Sequence, residues 1–213
     1  MEGGKTFYCG TLHPSADPDK SHNLLAGCSD RVIYQFDTDS GEIIQRYDMH
    51  RAAVNTITFV DDNQRFFSTS DDKSIRVWDY GVPFSVKFFS DPSMHSMPAT
   101  YVRPDKRHIL LQSLNNEIHT YHATDKFGRY KKKTFAGHLT AGYACGLSSS
   151  PDGKYVCSGD GNGHVYLWDW KSGKIARTLQ KAHASVCIDV AWHPFEASKL
   201  FTCGWDGALK IWD

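Results

Sequence analysis

Residues 68–79 read Ser-Thr-Ser-Asp-Asp-Lys-Ser-Ile-Arg-Val-Trp-Asp, and this pattern decides the fold. Small polar residues lead into an acidic turn, and an alternating segment then ends in an aromatic residue. Alternation of apolar and polar side chains predicts a half-buried β-strand. The same pattern returns four more times along the chain, at residues 26–37, 112–121, 158–169 and 202–213.

The spacing of the final aromatic residues is nearly constant. They are Phe36, Trp78, Tyr121, Trp168 and Trp212, at intervals of 42, 43, 47 and 44 residues. Six residues before each aromatic stands an acid or amide: Asp30, Asp72, Asn115, Asn162 and Asp206. A period of about 40–45 residues is that of the WD repeat, which forms one four-stranded propeller blade. The chain therefore resembles the WD-repeat family, which implies an all-β propeller.

The repeat divides the chain into about five blades. Their approximate bounds are 5–47, 50–89, 95–135, 138–180 and 183–213. The last unit ends after its third strand, and residues 5–12 are already needed as the inner strand of the first unit. We therefore expect residues 1–213 to be a partial propeller, the C-terminal part of a seven-bladed ring, and to be open or prone to aggregate by itself.

The WD-repeat resemblance implies a hydrogen-bonded network in each well-formed blade. One set is His50, Asp72 and Trp78 with Ser68 or Ser70, another is His183, Asp206 and Trp212 with Thr202, and a third is His138 and Trp168 with Asn162 in place of Asp. A buried imidazole, hydroxyl and indole each need a partner. Because the set recurs once per blade, we interpret it as structural. The sequence predicts no catalytic, cofactor-binding or metal-binding residue.

Composition excludes several other classes of protein. The 24 Lys and Arg balance 24 Asp and Glu, which excludes a globally basic nucleic-acid-binding chain. No apolar run is long enough to span a membrane, and no signal peptide stands at the start. We expect the six cysteines to be reduced thiols in a cytosolic or nuclear protein.

Several stretches are more individual than the repeat itself. They are residues 68–74, 92–98, 141–145, 158–163, 168–171 and 192–207. From about residue 23 to the end, the chain looks like the C-terminal propeller of the pre-mRNA-processing factor 17 family, also called the cell-division-cycle protein 40 family. This resemblance implies a nuclear, non-enzymatic spliceosome scaffold that acts around the second catalytic step of splicing, through contacts with proteins and with RNA. The alternatives are a generic WD-repeat adaptor, such as one that recognises substrates for a ubiquitin ligase, and a hydrolytic or metal-dependent propeller enzyme.

Two kinds of surface are candidates for binding partners. Trp205 lies in a turn between strands, where an exposed indole would anchor a protein partner, or would instead pack on the neighbouring blade. Arg31 and Lys73 occupy comparable turns. The basic run formed by Arg129, Lys131, Lys132 and Lys133 could contact RNA phosphate. We favour the simpler interpretation of this run as a solvated outer-strand face.

Overall fold

The protein folds as β-strands joined by turns throughout the part described by the computed structural model, residues 4–14 and 22–213. Nineteen strands form five antiparallel sheets in these residues. Four of the sheets have four strands and the last has three. The all-β fold class and the blade-like sheets that the WD repeat predicts are therefore confirmed.

Strands that follow one another in sequence are neighbours in each sheet. The first sheet contains β1 (Phe7–Leu12), β2 (Asn23–Cys28), β3 (Ile33–Asp37) and β4 (Ile43–Tyr47). The second contains β5 (Val54–Val60), β6 (Arg65–Ser70), β7 (Ile75–Asp79) and β8 (Ser85–Phe89). The third contains β9 (Ala99–Val102), β10 (His108–Ser113), β11 (Glu117–His122) and β12 (Arg129–Ala136). The fourth contains β13 (Leu147–Ser149), β14 (Tyr155–Gly159), β15 (Val165–Asp169) and β16 (Ile175–Leu179). The fifth contains β17 (Cys187–Trp192), β18 (Leu200–Gly204) and β19 (Leu209–Trp212).

The sheets are distributed over two compact units. Met1–Met97 contains the first and second sheets, and Pro98–Asp213 contains the other three. Short connections between antiparallel strands keep each sheet local in sequence.

Each repeat aromatic holds the same position in its sheet. It lies near the end of the third strand, opposite the beginning of the second strand. The register pairs are Phe36 with Leu24, Trp78 with Phe66, Tyr121 with Ile109, Trp168 with Val156, and Trp212 with Leu200. The sequence period therefore corresponds to a repeated strand register.

The turn before each third strand is also repeated. The residue after each repeat acid or amide has a positive φ, and these residues are Arg31 (78°), Lys73 (61°), Asn116 (67°), Gly163 (79°) and Gly207 (78°). In three of the turns, an oxygen of the repeat Asp accepts a hydrogen bond from the backbone N–H two residues later. Such side-chain-to-backbone bonds stabilise tight turns, which explains why Asp recurs here.

Apolar side chains fill the space between neighbouring sheets within each unit. In the first unit, Tyr47 of the first sheet meets Trp78 of the second edge-on, with ring centroids 5.4 Å apart. In the second unit, Phe135 of the third sheet packs against Trp168 of the fourth in a tilted arrangement, with ring centroids 6.1 Å apart and an interplanar angle of 56°. Trp78 and Trp168 are completely buried. Aromatic rings of this size dominate the hydrophobic stabilisation of such interfaces.

Candidate functional site

A buried hydrogen-bonded chain links four side chains of the second sheet. His50 bonds through Nδ1 to Asp72 Oδ2 at 3.0 Å and through Nε2 to Ser68 Oγ at 2.7 Å. The indole Nε1 of Trp78 donates to the same hydroxyl at 2.8 Å. The hydroxyl of this chain is Ser68, whereas Ser70 Oγ donates to the Ala52 carbonyl.

The fifth sheet contains the same arrangement. His183 bonds through Nδ1 to Asp206 Oδ1 at 3.0 Å and through Nε2 to Thr202 Oγ1 at 2.8 Å. Trp212 Nε1 donates to Thr202 Oγ1 at 3.0 Å. The structure thus brings together both complete sets of residues that the repeat pattern singled out.

Hydrogen-bonding capacity assigns the protons in both chains. The indole can only donate and an ionised carboxylate can only accept. The hydroxyl therefore accepts from Trp, and His Nδ1–H donates to Asp; the remaining bond joins His Nε2 to the hydroxyl. By accepting from His Nδ1–H, the carboxylate fixes the orientation of the imidazole.

The two carboxylates are held ionised. Burial alone would raise the pKa of Asp72, but hydrogen bonds from the side chains of His50 and Ser74 and from the Arg51 N–H outweigh it and lower that pKa well below its ordinary value. The pKa of Asp206 is lowered to about 2, because its carboxylate accepts hydrogen bonds from the backbone N–H of Ala184, which has the larger effect, and from the side chain of His183. Hydrogen bonds to the charged form account for both shifts.

The fourth sheet departs from this arrangement. Ser158 lies at the position equivalent to Ser68, but its hydroxyl donates to the Gly146 carbonyl at 3.0 Å and approaches Gln112 Oε1 at 3.3 Å. His138 Nε2 bonds Gln112 Oε1 at 3.0 Å, and Trp168 Nε1 donates to the Ala136 carbonyl at 3.0 Å. The sequence motif predicts that His138 and Trp168 belong to one hydrogen-bonded network. In the structure they share no partner, because Gln112 of the third sheet bonds His138 in place of the hydroxyl.

The predicted role of Asn162 also falls to another residue. Asn162 donates its backbone N–H to Asp160 Oδ1 at 2.9 Å, and the N–H of His164 donates to the same oxygen at 2.8 Å. His138 Nδ1 has no hydrogen-bond partner among the described residues. Burial lowers the pKa of His138 to about 4, so this imidazole is neutral at physiological pH.

A second buried network was missed from the sequence. Tyr47 OH donates to Gln35 Oε1 at 2.9 Å, Gln35 Nε2 donates to Tyr80 OH at 2.7 Å, and the Gly81 N–H donates to Tyr47 OH at 3.0 Å. It joins the first and second sheets. The signal that could have revealed it is an aromatic residue two positions after the repeat aromatic, which is Tyr80 here and Trp170 in the fourth sheet.

The His–hydroxyl–Asp sets are unsuited to attack a substrate. Ser68 and Thr202 are at most 1% exposed, and each hydroxyl is occupied by both an indole and an imidazole. An apolar cavity of about 520 Å³ lies on the first sheet against Phe7, Leu24 and Phe36. Burial raises the pKa of Cys9 in this cavity to about 11, so that thiol is a poor nucleophile.

The described residues contain neither a cluster of metal ligands nor a membrane-spanning helix. No group of three or more His, Cys, Asp or Glu among the described residues could hold a metal ion. Nor does residue range 4–14 or 22–213 contain a helix long and apolar enough to cross a bilayer.

Trp205 lies in the turn between β18 and β19. It is 59% exposed, and its ring meets that of Tyr143 edge-on, with centroids 4.8 Å apart. The ring therefore contacts the segment before the fourth sheet and keeps an open face, and its role as a partner anchor stays a prediction. Arg31 and Lys73 are exposed in the equivalent turns of the first unit.

The basic run lies on the outer strand β12. Arg129, Lys131 and Lys132 are exposed, whereas Lys133 Nζ donates to the carbonyls of Trp170 and Lys171, both at 2.6 Å. Lys133 is therefore committed to holding the third sheet against the fourth.

Comparison with known proteins gives two results. The family model described as "WD domain, G-beta repeat" matches residues 41–79, 129–169 and 173–213, more than half of the chain. Each match begins at or just before the outer strand of one sheet and ends with the third strand of the next.

Relatives with curated names are similar over almost the whole chain. Pre-mRNA-processing factor 17 of Homo sapiens is 52% identical over 98% of this chain and 36% of its own length. The protein of that name in Saccharomyces cerevisiae is 32% identical over 92% of this chain and 44% of its own. WD repeat-containing protein 25 of Mus musculus is 26% identical over 100% of this chain and 40% of its own. The chain thus spans about a third to less than half of the length of these relatives.

Proposed function

Because the chain belongs to the WD40 repeat family, we propose that it is a scaffold module that binds other proteins during pre-mRNA splicing. The observation that carries this proposal is the 52% identity to Pre-mRNA-processing factor 17, which extends through all five sheets. We further propose that the module works in the nucleus, within the spliceosome, around the second catalytic step.

The module itself performs no catalysis in this proposal. The polar side chains that resemble a hydrolase triad are repeated in two sheets and are sealed by Trp78 and Trp212. A repeated, satisfied network stabilises the sheet that contains it, whereas an active site needs an accessible reacting group.

Protein partners would contact the exposed turns. Trp205 offers a large ring that is already oriented by Tyr143, so little side-chain entropy is lost when a partner covers its open face. Arg31 and Lys73 project charge from equivalent turns of the first unit. We propose these three residues as contact points, with Trp205 as the anchor.

Affinity purification from nuclear extract tests the proposal. The tagged chain should recover splicing proteins and spliceosomal small nuclear RNAs, and Trp205→Ala should reduce that recovery several-fold. Phe195→Ala is the matched control, because Phe195 is 89% exposed in the loop between β17 and β18 and lies outside the turn that contains Trp205. Recovery of a ubiquitin ligase in place of splicing proteins would support the generic adaptor and contradict the proposal.

The step of splicing is tested separately. Extract depleted with an antibody against this chain should accumulate the free 5′ exon and the lariat intermediate, the products of the first transesterification. A block before the first step would refute the assignment to the second.

A further inference from the structure

Positive charge is concentrated in the third sheet. Residues 98–136 hold eight Lys and Arg against three Asp and Glu, in a chain whose formal net charge is zero. Two of the three acids are already engaged. Asp105 is bound by Arg103 and His108, and Glu117 is bound by His119. Positive charges therefore exceed negative charges by five in this sheet.

The outer strand of the third sheet has an unusual register. The pairing moves from His119–Thr134 to Tyr121–Arg129, so two steps along β11 correspond to five along β12. In the other four-stranded sheets, the corresponding irregularity skips a single residue of the outer strand: residue 44, 86 or 176. Residues 130–133 thus form an enlarged bulge, and β-bulges commonly redirect side chains at binding sites.

The bulge is anchored at one end and free in the middle. Lys133 Nζ binds the carbonyls of Trp170 and Lys171, which fixes the bulge to the fourth sheet. Lys131 and Lys132 are exposed, and neither ammonium group forms a hydrogen bond or an ion pair within the described residues. Two ammonium groups are therefore available on a fixed backbone.

Aromatic rings lie beside these cations. Tyr130 stacks on His108 with ring centroids 5.5 Å apart and an interplanar angle of 26°, and it contacts His122 at 5.1 Å. His108 in turn meets Trp170 at 5.3 Å. The rings are only partly buried, so the group forms a supported aromatic surface with accessible area.

From this juxtaposition we infer that the enlarged bulge of β12 binds single-stranded RNA. Arg129, Lys131 and Lys132 contact backbone phosphates, and the Tyr130 ring, supported by His108, stacks on a base. A cationic track beside aromatic rings is the arrangement that binds single strands. An acidic peptide would use the cations but not the rings. The inference rests on the proposed function, since an RNA-processing complex is where such a surface meets RNA.

Fluorescence anisotropy with a labelled single-stranded 12-mer oligoribonucleotide of mixed sequence tests the inference. Log affinity for the purified chain is measured against log salt concentration. Each phosphate contact on a single strand contributes about 0.7 to the slope. Lys131→Ala/Lys132→Ala should therefore reduce the slope by about 1.4 and weaken binding about tenfold at low salt. Lys87→Ala/Arg177→Ala removes two exposed charges from outer strands of other sheets and should leave the slope unchanged.

The aromatic contribution is tested independently. Tyr130→Ala should weaken binding about tenfold with an unchanged salt slope, and Tyr130→Phe should retain wild-type affinity because the ring remains. Circular dichroism and thermal unfolding identify variants that fail to fold, and the two lysines are exposed enough to be replaced without that risk.

Either of two results would overturn the inference: equal binding by the lysine variant and its control, or competition by poly-glutamate as effective as by unlabelled RNA. The proposed function is judged by recovery of splicing complexes, which requires no direct RNA contact. A purified chain that binds no RNA but still enters those complexes would refute this inference alone.

Discussion

At the scale of the residue, two buried chains of hydrogen bonds give polar side chains defined partners. The His–hydroxyl–Trp chains of the second and fifth sheets satisfy an imidazole, a hydroxyl and an indole with one another. An unsatisfied buried group would cost about 1–3 kcal/mol, so the chain is stabilising as a whole even though each bond contributes little net free energy. The hydroxyl is the central group, because it serves both rings.

Thr202→Val should destabilise the protein more than Thr202→Ser. Valine keeps the shape of Thr202 but leaves His183 Nε2 and Trp212 Nε1 without their shared partner, which should lower the free energy of unfolding by about 2 kcal/mol or more. Serine keeps the hydroxyl and loses one methyl group, at a cost of about 1 kcal/mol. Urea denaturation measures both. Equal losses would show that the hydroxyl contributes nothing beyond its volume.

His138 should make stability depend on pH. Its folded pKa of about 4 lies below the ordinary value of about 6.5, so the unfolded chain takes up a proton first as the pH falls. The stabilisation is complete above pH 6.5 and is lost as the pH falls through 4, with a slope of at most about 1.4 kcal/mol per pH unit. His138→Gln should flatten this part of the stability curve measured by denaturation between pH 7 and 4.

The control for the pH experiment is His95→Gln, which removes an exposed imidazole from another part of the chain. This variant should show the same dependence of stability on pH as the wild-type protein. If His138→Gln keeps it as well, the loss of stability between pH 7 and 4 arises elsewhere.

At the scale of the element, the repeated turn between the second and third strands sets the register of every sheet. Its left-handed residue is Gly163 in the fourth sheet and Gly207 in the fifth, whereas Arg31 and Lys73 adopt the same conformation in the first unit. Glycine adopts positive φ without a steric cost, while other residues pay roughly 1 kcal/mol. The turn geometry is thus the same in all sheets, and the residue that fills it varies.

Alanine substitutions at these two glycines distinguish the cost of backbone strain from the cost of steric crowding. A Cβ at Gly207 would meet no atom within 4 Å, whereas a Cβ at Gly163 would lie 2.2 Å from the His183 carbonyl oxygen and 2.5 Å from that of Ser185. Gly207→Ala should therefore cost about 1 kcal/mol, the cost of the left-handed conformation alone. Gly163→Ala should cost about 1–3 kcal/mol more, because backbone atoms must shift.

Chemical denaturation of the two glycine variants provides the measurement. The difference between them is more informative than either value, since both glycines have φ near 80°. Similar destabilisation of the two proteins would mean that the neighbouring loop at residues 183–185 moves at little cost in free energy.

At the scale of the whole molecule, the sheets repeat one architecture but differ in charge. The five sheets share strand order, turn conformation and the position of one aromatic residue. Charge is not shared equally, because the balance of 24 cations and 24 anions conceals a basic third sheet. A repeated scaffold of this kind can carry a different surface on each sheet, which suits a protein that binds several partners.

Much of the fold could be predicted from sequence because its information is local and periodic. The interval between Phe36, Trp78, Tyr121, Trp168 and Trp212 indicated the number of sheets, and the preceding acid or amide indicated the turn. The complete His–Asp–hydroxyl–Trp sets could also be recognised, since one repeat supplies every member at a regular spacing.

Contacts between repeats could not be predicted from the spacing of the sequence motif. Nothing in the spacing indicates that Gln112 of the third sheet replaces a hydroxyl beside His138, or that Gln35 and Tyr47 of the first sheet bind Tyr80 of the second. Such partners come from separate repeats, and their choice depends on how two sheets approach each other.

The sequence by itself therefore determined the repeat, the all-β class and the position of each aromatic, because alternation and turn chemistry act over a few neighbouring residues. Only the tertiary structure decided that Lys133 is engaged while Lys131 and Lys132 are free, and that Tyr130 stacks on His108. Those facts depend on the register of β12 and on packing between sheets, which bring together side chains that are distant in sequence.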